Sequence, residues 1–322
     1  CQADDGIRDA TGGLVGSGMC IRDRVKGGGP IGCIVNPGLG REFEAASPAT
    51  AVDMRLVVVG GGPAGMEAAL TGYSAGARVT LLERRNSLGG QFSLAPLTTG
   101  KEAMARPLQS LVGLVERIGV EVRTGIEATV DTITDLEPDH TILATGSSPL
   151  IPPIPGLGDP LTAEQVLRGD REVGRKVLIL GGGLVGIEMA EHLGLAGHEV
   201  VVVELLDETA RDMEAVTRKM TRKRLQKLPV TIHTKTRLVR MNGDEAIVDD
   251  AHDGQERSIG PFDSVVVAIG HVSHDPLSAE MRAAGLPVTV IGDADEPGQI
   301  YDATQAGRRA AEAILRDARR AT

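Results

Sequence analysis

The chain has 322 residues, a length that suggests two domains with room for a sizeable core. Its net charge of −10, with two Tyr, three Phe and no Trp, argues against a nucleic-acid footprint of basic patches and base-stacking rings. Three cysteines cannot form a disulfide framework, and no apolar run approaches the roughly 20 residues of a membrane span. No secretory signal pattern opens the sequence, so a cytoplasmic location is expected. The chain begins with Cys1 rather than Met, and a fragment of a longer protein is expected.

Residues 1 to 52 show neither helical nor strand periodicity, and Gly, Pro and Asp punctuate them throughout. They read as an irregular tail or connector. The stretch RLVVVGGGPAGMEAALTGYSAGARVTLLERR (55 to 85) reads as a βαβ unit: a buried strand LVVV, a glycine turn, a helix from Met66, and a second strand ending at Glu83. HTILATGSSPLIPPIPG (140 to 156) is a strand, a Thr-Gly turn and a proline-rich exit. RKVLILGGGLVGIEMAEHLGLAGHEVVVVELL (175 to 206) then repeats the βαβ pattern, and the acid follows the first glycine at the same interval, 60 to 83 and 181 to 204. DSVVVAIGHVS (263 to 273) is a further strand and glycine turn. A strand ending at Gly292-Asp293 and an amphipathic helix close the chain, with Arg316, Arg319 and Arg320 where cations suit the helix dipole.

Each glycine of the first loop has a separate task. Gly60 permits the tight turn after the strand, Gly62 lets the backbone approach a pyrophosphate, and Gly65 lets the helix pack closely. The first helical turn directs unpaired N–H groups at the phosphates, and Glu83 stands where a carboxylate accepts ribose hydroxyls. Gly181, Gly183, Gly186 and Glu204 repeat the arrangement. A lone GxGxxG is a weak signal. Two such loops, each after a strand, before a helix and with an acid at the right distance, make a strong one. Leu205 and Leu206 follow Glu204 with no Arg among them, which favours NADH over NADPH, although Arg211 could fold back.

These two units, the ATG turn at 144 to 146 and the IGD motif at 291 to 293 resemble the two-dinucleotide-binding-domain flavoproteins. LERRNSLGGQFSLA (82 to 95) and IGDADEPGQIYDATQAGRRAAEAI (291 to 314) narrow the resemblance. They look like the C-terminal half of the iron–sulfur flavoenzymes related to old yellow enzyme, a group that includes 2,4-dienoyl-CoA reductase and trimethylamine dehydrogenase. The resemblance implies an α/β chain of two Rossmann-like domains, with the NAD domain inserted into the FAD domain. Residues 1–52 would be a connector left from the iron–sulfur region, 53–150 and 271–322 the two parts of the FAD domain, and 151–270 the NAD(P)H domain.

The implied activity is hydride transfer from NADH to FAD, with electrons passing to an FMN-bearing barrel that this chain lacks. Partners would be small nucleotides and that barrel, and the sequence leaves room for a homo-oligomer. The resemblance also places Arg84, Gln91, Thr145, Gly146, Gly270 and Asp293 at the cofactors, Asp293 on the flavin ribityl chain. It puts the N-terminus of the last helix, near Ala303, at the flavin ring. Glu188 is the candidate catalytic residue, near the nicotinamide in related flavoproteins; a helix-surface carboxylate is the equal alternative. A solvated loop amide is the alternative for Gln91, and a strand-end turn the alternative for Thr145 and Gly146.

GGPIGCIVNPGLGREFE (28 to 44) resembles the family's connector, in which the fourth ligand of a [4Fe–4S] cluster precedes Asn-Pro. Cys33 takes that position and Cys20 the one before it, but the two earlier ligand positions fall at Leu14 and Ser17, so the set is incomplete. LVGSGMCIRDR (14 to 24) also resembles translated sequencing-adapter sequence, in which case Cys20 is not native. For this chain a free thiol at Cys33 is the simpler expectation. No CxxxxC or CxxC stands where a thiol-relay disulfide reductase needs one. Two rival readings remain. One is a module that holds ADP instead of FAD and transfers no electrons, as in the amine dehydrogenase branch. The other is a complete small oxidoreductase like the glutamate synthase small subunit.

Overall fold

The run RLVVV becomes the strand β1 (Arg55–Val59). Leu56, Val57, Val58 and Val59 are all buried, because helices cover a parallel sheet on both faces and leave no polar side to alternate with. The computed structural model describes residues 33–39, 53–211, 213, 215–250 and 254–321. After β1 come α1 (Pro63–Ser74), β2 (Arg78–Glu83), α2 (Ala105–Ile118), β3 (Glu121–Thr124), α3 (Val130–Thr134), β4 (His140–Leu143) and β5 (Ser147–Pro149). The chain continues through β6 (Leu161–Thr162), α4 (Ala163–Arg168), β7 (Lys176–Leu180), α5 (Leu184–Leu195), β8 (Glu199–Val203), α6 (Ala215–Leu225) and β9 (Val230–His233). Next are β10 (Thr236–Asn242), β11 (Glu245–Asp250), β12 (Glu256–Ile259), β13 (Ser264–Val267), β14 (His271–Ser273), α7 (Ser278–Ala283), β15 (Val288–Val290) and α8 (Ile300–Ala321).

Two units result. One takes the described residues up to Pro96, Ala103–Ser147 and the chain from Ser273; the other takes Leu97–Glu102 and Ser148–Val272. The first carries a parallel sheet in the order β15-β4-β1-β2-β3. The second carries a parallel sheet in the order β6-β13-β7-β8-β9 and an antiparallel sheet β10-β11-β12. This is the α/β architecture of two Rossmann-like sheets that the repeated glycine loop implies. In each sheet the chain winds outward from a central strand, β1 or β7, and returns on its other side with β4 or β13. The reversal opens a crevice at the carboxyl ends of those strands, which is where open α/β sheets bind ligands.

Small residues bring α1 and α8 together in the first unit. Ala64, Gly65, Met66, Ala68 and Ala69 of α1 are buried, as are Ala303, Gly307, Ala311 and Leu315 of α8. A Cβ on Gly307 would stand 2.2 Å from the Ala64 carbonyl oxygen. The last helix starts at Ile300, earlier than the sequence placement near Ala303, because the Asp302 carboxylate accepts from the Gln299 N–H at 3.1 Å and caps the first turn. The connector residues 33–39 form turns on this helix: Cys33, Ile34 and Pro37 are buried, and the Pro37 carbonyl accepts from Gln305 Nε2 at 3.0 Å.

Gly307→Ala is expected to force the two helices apart and destabilise the first unit by about 1–3 kcal/mol. A lower urea midpoint followed by circular dichroism would show it, and an unchanged midpoint would mean the close approach carries no energy.

Candidate functional site

The two glycines that fix the first loop do so by backbone contact. Gly60 has φ +107°, and a Cβ there would lie 2.2 Å from the Ala144 carbonyl oxygen, where the ends of β1 and β4 meet. A Cβ on Gly65 would lie 1.8 Å from the Gly60 carbonyl oxygen. Gly62 is different. Its φ of −77° is open to any residue, and the nearest heavy atom to a Cβ there is Gly90 Cα at 4.0 Å. Neither conformation nor packing demands glycine at 62, and the loop is open there. Pro63 then starts α1, whose first N–H groups face that space.

The second loop repeats each feature. Gly181 has φ +99° with its Cβ position 2.5 Å from the Ala268 carbonyl oxygen, and a Cβ on Gly186 would lie 1.9 Å from the Gly181 carbonyl oxygen. Gly183 has φ −66° and nothing within 4 Å of its Cβ position. Both loops therefore leave, at Gly62 and Gly183, open space that a side chain would occupy.

The two acids also match. Glu83 is buried, accepts the Gly61 N–H at 2.6 Å on one oxygen and the Arg85 N–H at 2.8 Å on the other. Glu204 is buried and accepts the Gly182 N–H at 2.6 Å and the Leu206 N–H at 2.7 Å. Each carboxylate thus ties the glycine loop to the strand end, with lone pairs left for a ribose hydroxyl. Sequence reasoning did not foresee this bracing role. Arg84 is exposed beside Glu83. Arg211 does not turn back to Glu204; it pairs with Asp207.

Three loops of the first unit meet through polar side chains. Gln91 Nε2 donates to Ser147 Oγ at 2.9 Å, Ser147 Oγ donates to Asp293 Oδ2 at 3.1 Å, and Asp293 Oδ1 accepts the Gly298 N–H at 3.1 Å. Thr145 Oγ1 donates to the His274 carbonyl at 2.5 Å. Gly146 has φ +81° and open space at its Cβ position. Gln91, Thr145, Gly146 and Asp293 are therefore brought together, with Ser147 as the member the sequence did not single out; its one signal was its place in ATGSS. Gly270, in the second unit, has φ +128° and accepts the Leu150 N–H at 3.0 Å on its carbonyl.

Glu188, on α5, accepts from Lys101 Nζ at 2.5 Å, and both side chains are largely buried. One turn further on, His192 Nδ1 bonds Thr99 Oγ1 at 2.9 Å. Burial, with His198 adding repulsion, holds His192 below the ordinary imidazole range. The segment Leu97–Glu102 thus packs with the second unit by two polar contacts to one face of α5. Glu67, in the equivalent place on α1, has no such cation contact. It is buried, accepts the Thr71 hydroxyl at 3.2 Å, and its pKa is pushed up to about 7, by burial first, against the pull of Thr71 and Arg308 and with a further push from Glu312.

Cys20 lies outside the described residues. Cys33 is fully buried with a free thiol, and among the described residues no group of three or more His, Cys, Asp or Glu side chains is placed to hold a metal. The described residues therefore do not fit a four-thiolate cluster. None of their helices is long and apolar enough to cross a membrane.

Residues 54–300 match the family model described as pyridine nucleotide-disulphide oxidoreductase. The chain is 37 % identical over 299 residues to a protein named NADH oxidase from Thermoanaerobacter brockii, with 89 % of this chain and 45 % of that protein covered. It is 31 % identical over 287 residues to a bilirubin reductase of Mediterraneibacter gnavus, with 88 % and 44 % covered. A solved 2-naphthoyl-CoA reductase complex superposes with a TM-score of 0.79 at 28 % identity, over 88 % of this chain and 43 % of that one. The chain spans less than half the length of these relatives.

Gly62→Ala is expected to leave the melting temperature unchanged while weakening FAD or ADP binding by about tenfold or more. Gly60→Ala should lower both. Calorimetric titration beside thermal melts separates the two behaviours. Glu67 is raised from its ordinary value in the fold, so the native state favours its protonated form. Its stabilising contribution is complete below pH 4.5 and is lost as pH rises towards about 7. Glu67→Gln should therefore gain stability over the natural chain across that window and hold a constant advantage above it, as urea midpoints measured at several pH values would reveal.

Proposed function

Because the chain belongs to the pyridine nucleotide-disulphide oxidoreductase family and corresponds to the FAD/NAD half of the flavoenzymes related to old yellow enzyme, we propose that it is the electron-input part of a longer enzyme, with FAD on the first glycine loop and NADH on the second. The observation that carries the reading is the open space at Gly62 and Gly183, two glycines that neither backbone conformation nor packing requires. Family membership implies FAD and NAD(P)H as cofactors. The choice of NADH rests on Glu204, whose carboxylate is held in place by two backbone N–H groups and would repel a 2′-phosphate.

In this reading the loop amides at 60–65 and 181–186 hold the pyrophosphates, assisted by the N-termini of α1 and α5. Glu83 and Glu204 accept the ribose hydroxyls. Gln91, Ser147 and Asp293 present a connected set of polar atoms to the flavin side chain, with Thr145 fixing the turn beneath them. Glu188, held by Lys101, orients the nicotinamide end. When both are bound, NADH and FAD supply hydride transfer, for which no protein base is obligatory. The onward acceptor and the substrate site would belong to the part of the enzyme outside this chain.

Anaerobic addition of NADH to the FAD-reconstituted chain tests the proposal. Rapid bleaching of the flavin's visible band is expected. Retention of ADP with failure to retain FAD would instead assign the first loop to a nucleotide-holding structural module.

A further inference from the structure

A cavity lies beside the residue that follows Glu204. It is lined by Leu205, Arg237, Asp249, Asp250 and Gly254. Its place is fixed by the backbone: the Thr236 N–H donates to the Glu204 carbonyl at 2.9 Å, so β10 leaves from the same point at which β8 delivers its acid. Arg237 is the next residue. Its side chain is 63 % exposed and carries a guanidinium, the group that binds the 2′-phosphate of NADP in sites that accept it.

That guanidinium is already engaged. Arg237 and Asp249 are direct partners in the β10–β11 register, and Arg237 donates through Nε at 3.3 Å and Nη2 at 2.5 Å to the two oxygens of Asp249. The Asp249 side chain is 5 % exposed, so it is held by the strand and cannot swing away. Arg211, seven residues further along the chain than Glu204, pairs with Asp207. Each of these guanidinium groups thus has a carboxylate of its own. A 2′-phosphate placed here would meet Glu204 and find the Arg237 fork already occupied, leaving only the single-point charge of Lys235, whose backbone N–H bonds the Leu206 carbonyl, whereas a 2′-hydroxyl needs only the Glu204 acceptor.

We propose that Asp249 is a specificity-determining residue of the second nucleotide site: by locking Arg237 in a two-point ion pair it withholds that guanidinium fork from a 2′-phosphate and so favours NADH over NADPH. The inference rests on the reading of the second glycine loop as the nicotinamide dinucleotide site. It adds to the repulsion by Glu204 a second, removable element. Selection against the wrong ligand is commonly built this way, from a repulsive group together with a withheld attractive one.

The test is calorimetric titration of the full chain with NADH, NADPH and 2′,5′-ADP. Asp249→Ala is expected to release Arg237 and tighten NADPH and 2′,5′-ADP by about tenfold relative to NADH. The double variant Arg237→Gln/Asp249→Ala, which removes both charges, should return NADPH affinity to that of the natural chain. Should the single variant fail to fold, the double variant decides alone. NADPH affinity equal to the natural chain's supports the lock. A weaker value means that Arg237 already serves the phosphate and overturns it, as does equal tightening of NADH and NADPH in Asp249→Ala. If the natural chain binds neither NADH nor NADPH, the second-loop reading falls and the inference with it.

Discussion

The structure depends on a backbone-to-backbone contact that appears twice. At each crevice a strand end, a glycine turn and the first turn of a helix come so close that a single Cβ would occupy a neighbouring carbonyl oxygen, at Gly60 and Gly65 in one unit and at Gly181 and Gly186 in the other. The contact brings the helix N-terminus up to the carboxyl end of the central strand, so its unpaired N–H groups face the point where the sheet reverses direction. Any side chain at those positions would push the helix away from the strand end. Gly62 and Gly183 can then be left open without weakening the fold, because their neighbours have already fixed it.

Glu83 and Glu204 serve the same contact from the other side. A carboxylate buried with no partner would be costly, yet each here accepts two backbone N–H groups, bonds worth roughly 1.5–3 kcal/mol apiece when the acceptor is charged. The acid is therefore part of the loop's architecture. Substituting it would disturb the loop itself, so loss of nucleotide binding in such a variant would not by itself assign the acid a contact to the sugar. The same economy holds at Asp249, whose buried carboxylate is paired by Arg237 across the β10–β11 register.

Outside the two loops the polar side chains sort by unit. Gln91, Ser147 and Asp293 are separated by long stretches of chain and meet in the first unit as one hydrogen-bonded series. Lys101 and Thr99 come from a stretch that the first unit's chain surrounds in sequence, yet they pack on α5 of the second. Glu188 and Glu67 occupy equivalent positions in the repeat and have opposite fates: one is neutralised by a lysine, the other is buried against its own helix hydroxyl and pushed towards neutrality. A repeated sequence motif has thus been given two electrostatic environments by what packs against it.

The sequence by itself determined the two βαβ units, their glycine loops, their paired acids and the α/β class, because those features are local: a buried parallel strand is a continuous apolar run, and a pyrophosphate loop is a fixed spacing of glycines. The resemblance singled out Gln91, Thr145 and Asp293 through motifs that are contiguous in the chain. Only the tertiary structure decided that the two acids brace their own loops, that Ser147 joins Gln91 to Asp293, that Lys101 reaches Glu188, and that Arg237 is held by Asp249. Each of these joins residues whose pairing depends on loop paths and strand register. Neither hydrophobic periodicity nor residue spacing encodes these, and a side chain's charge partner is set by what the folded chain brings within about 3 Å of it.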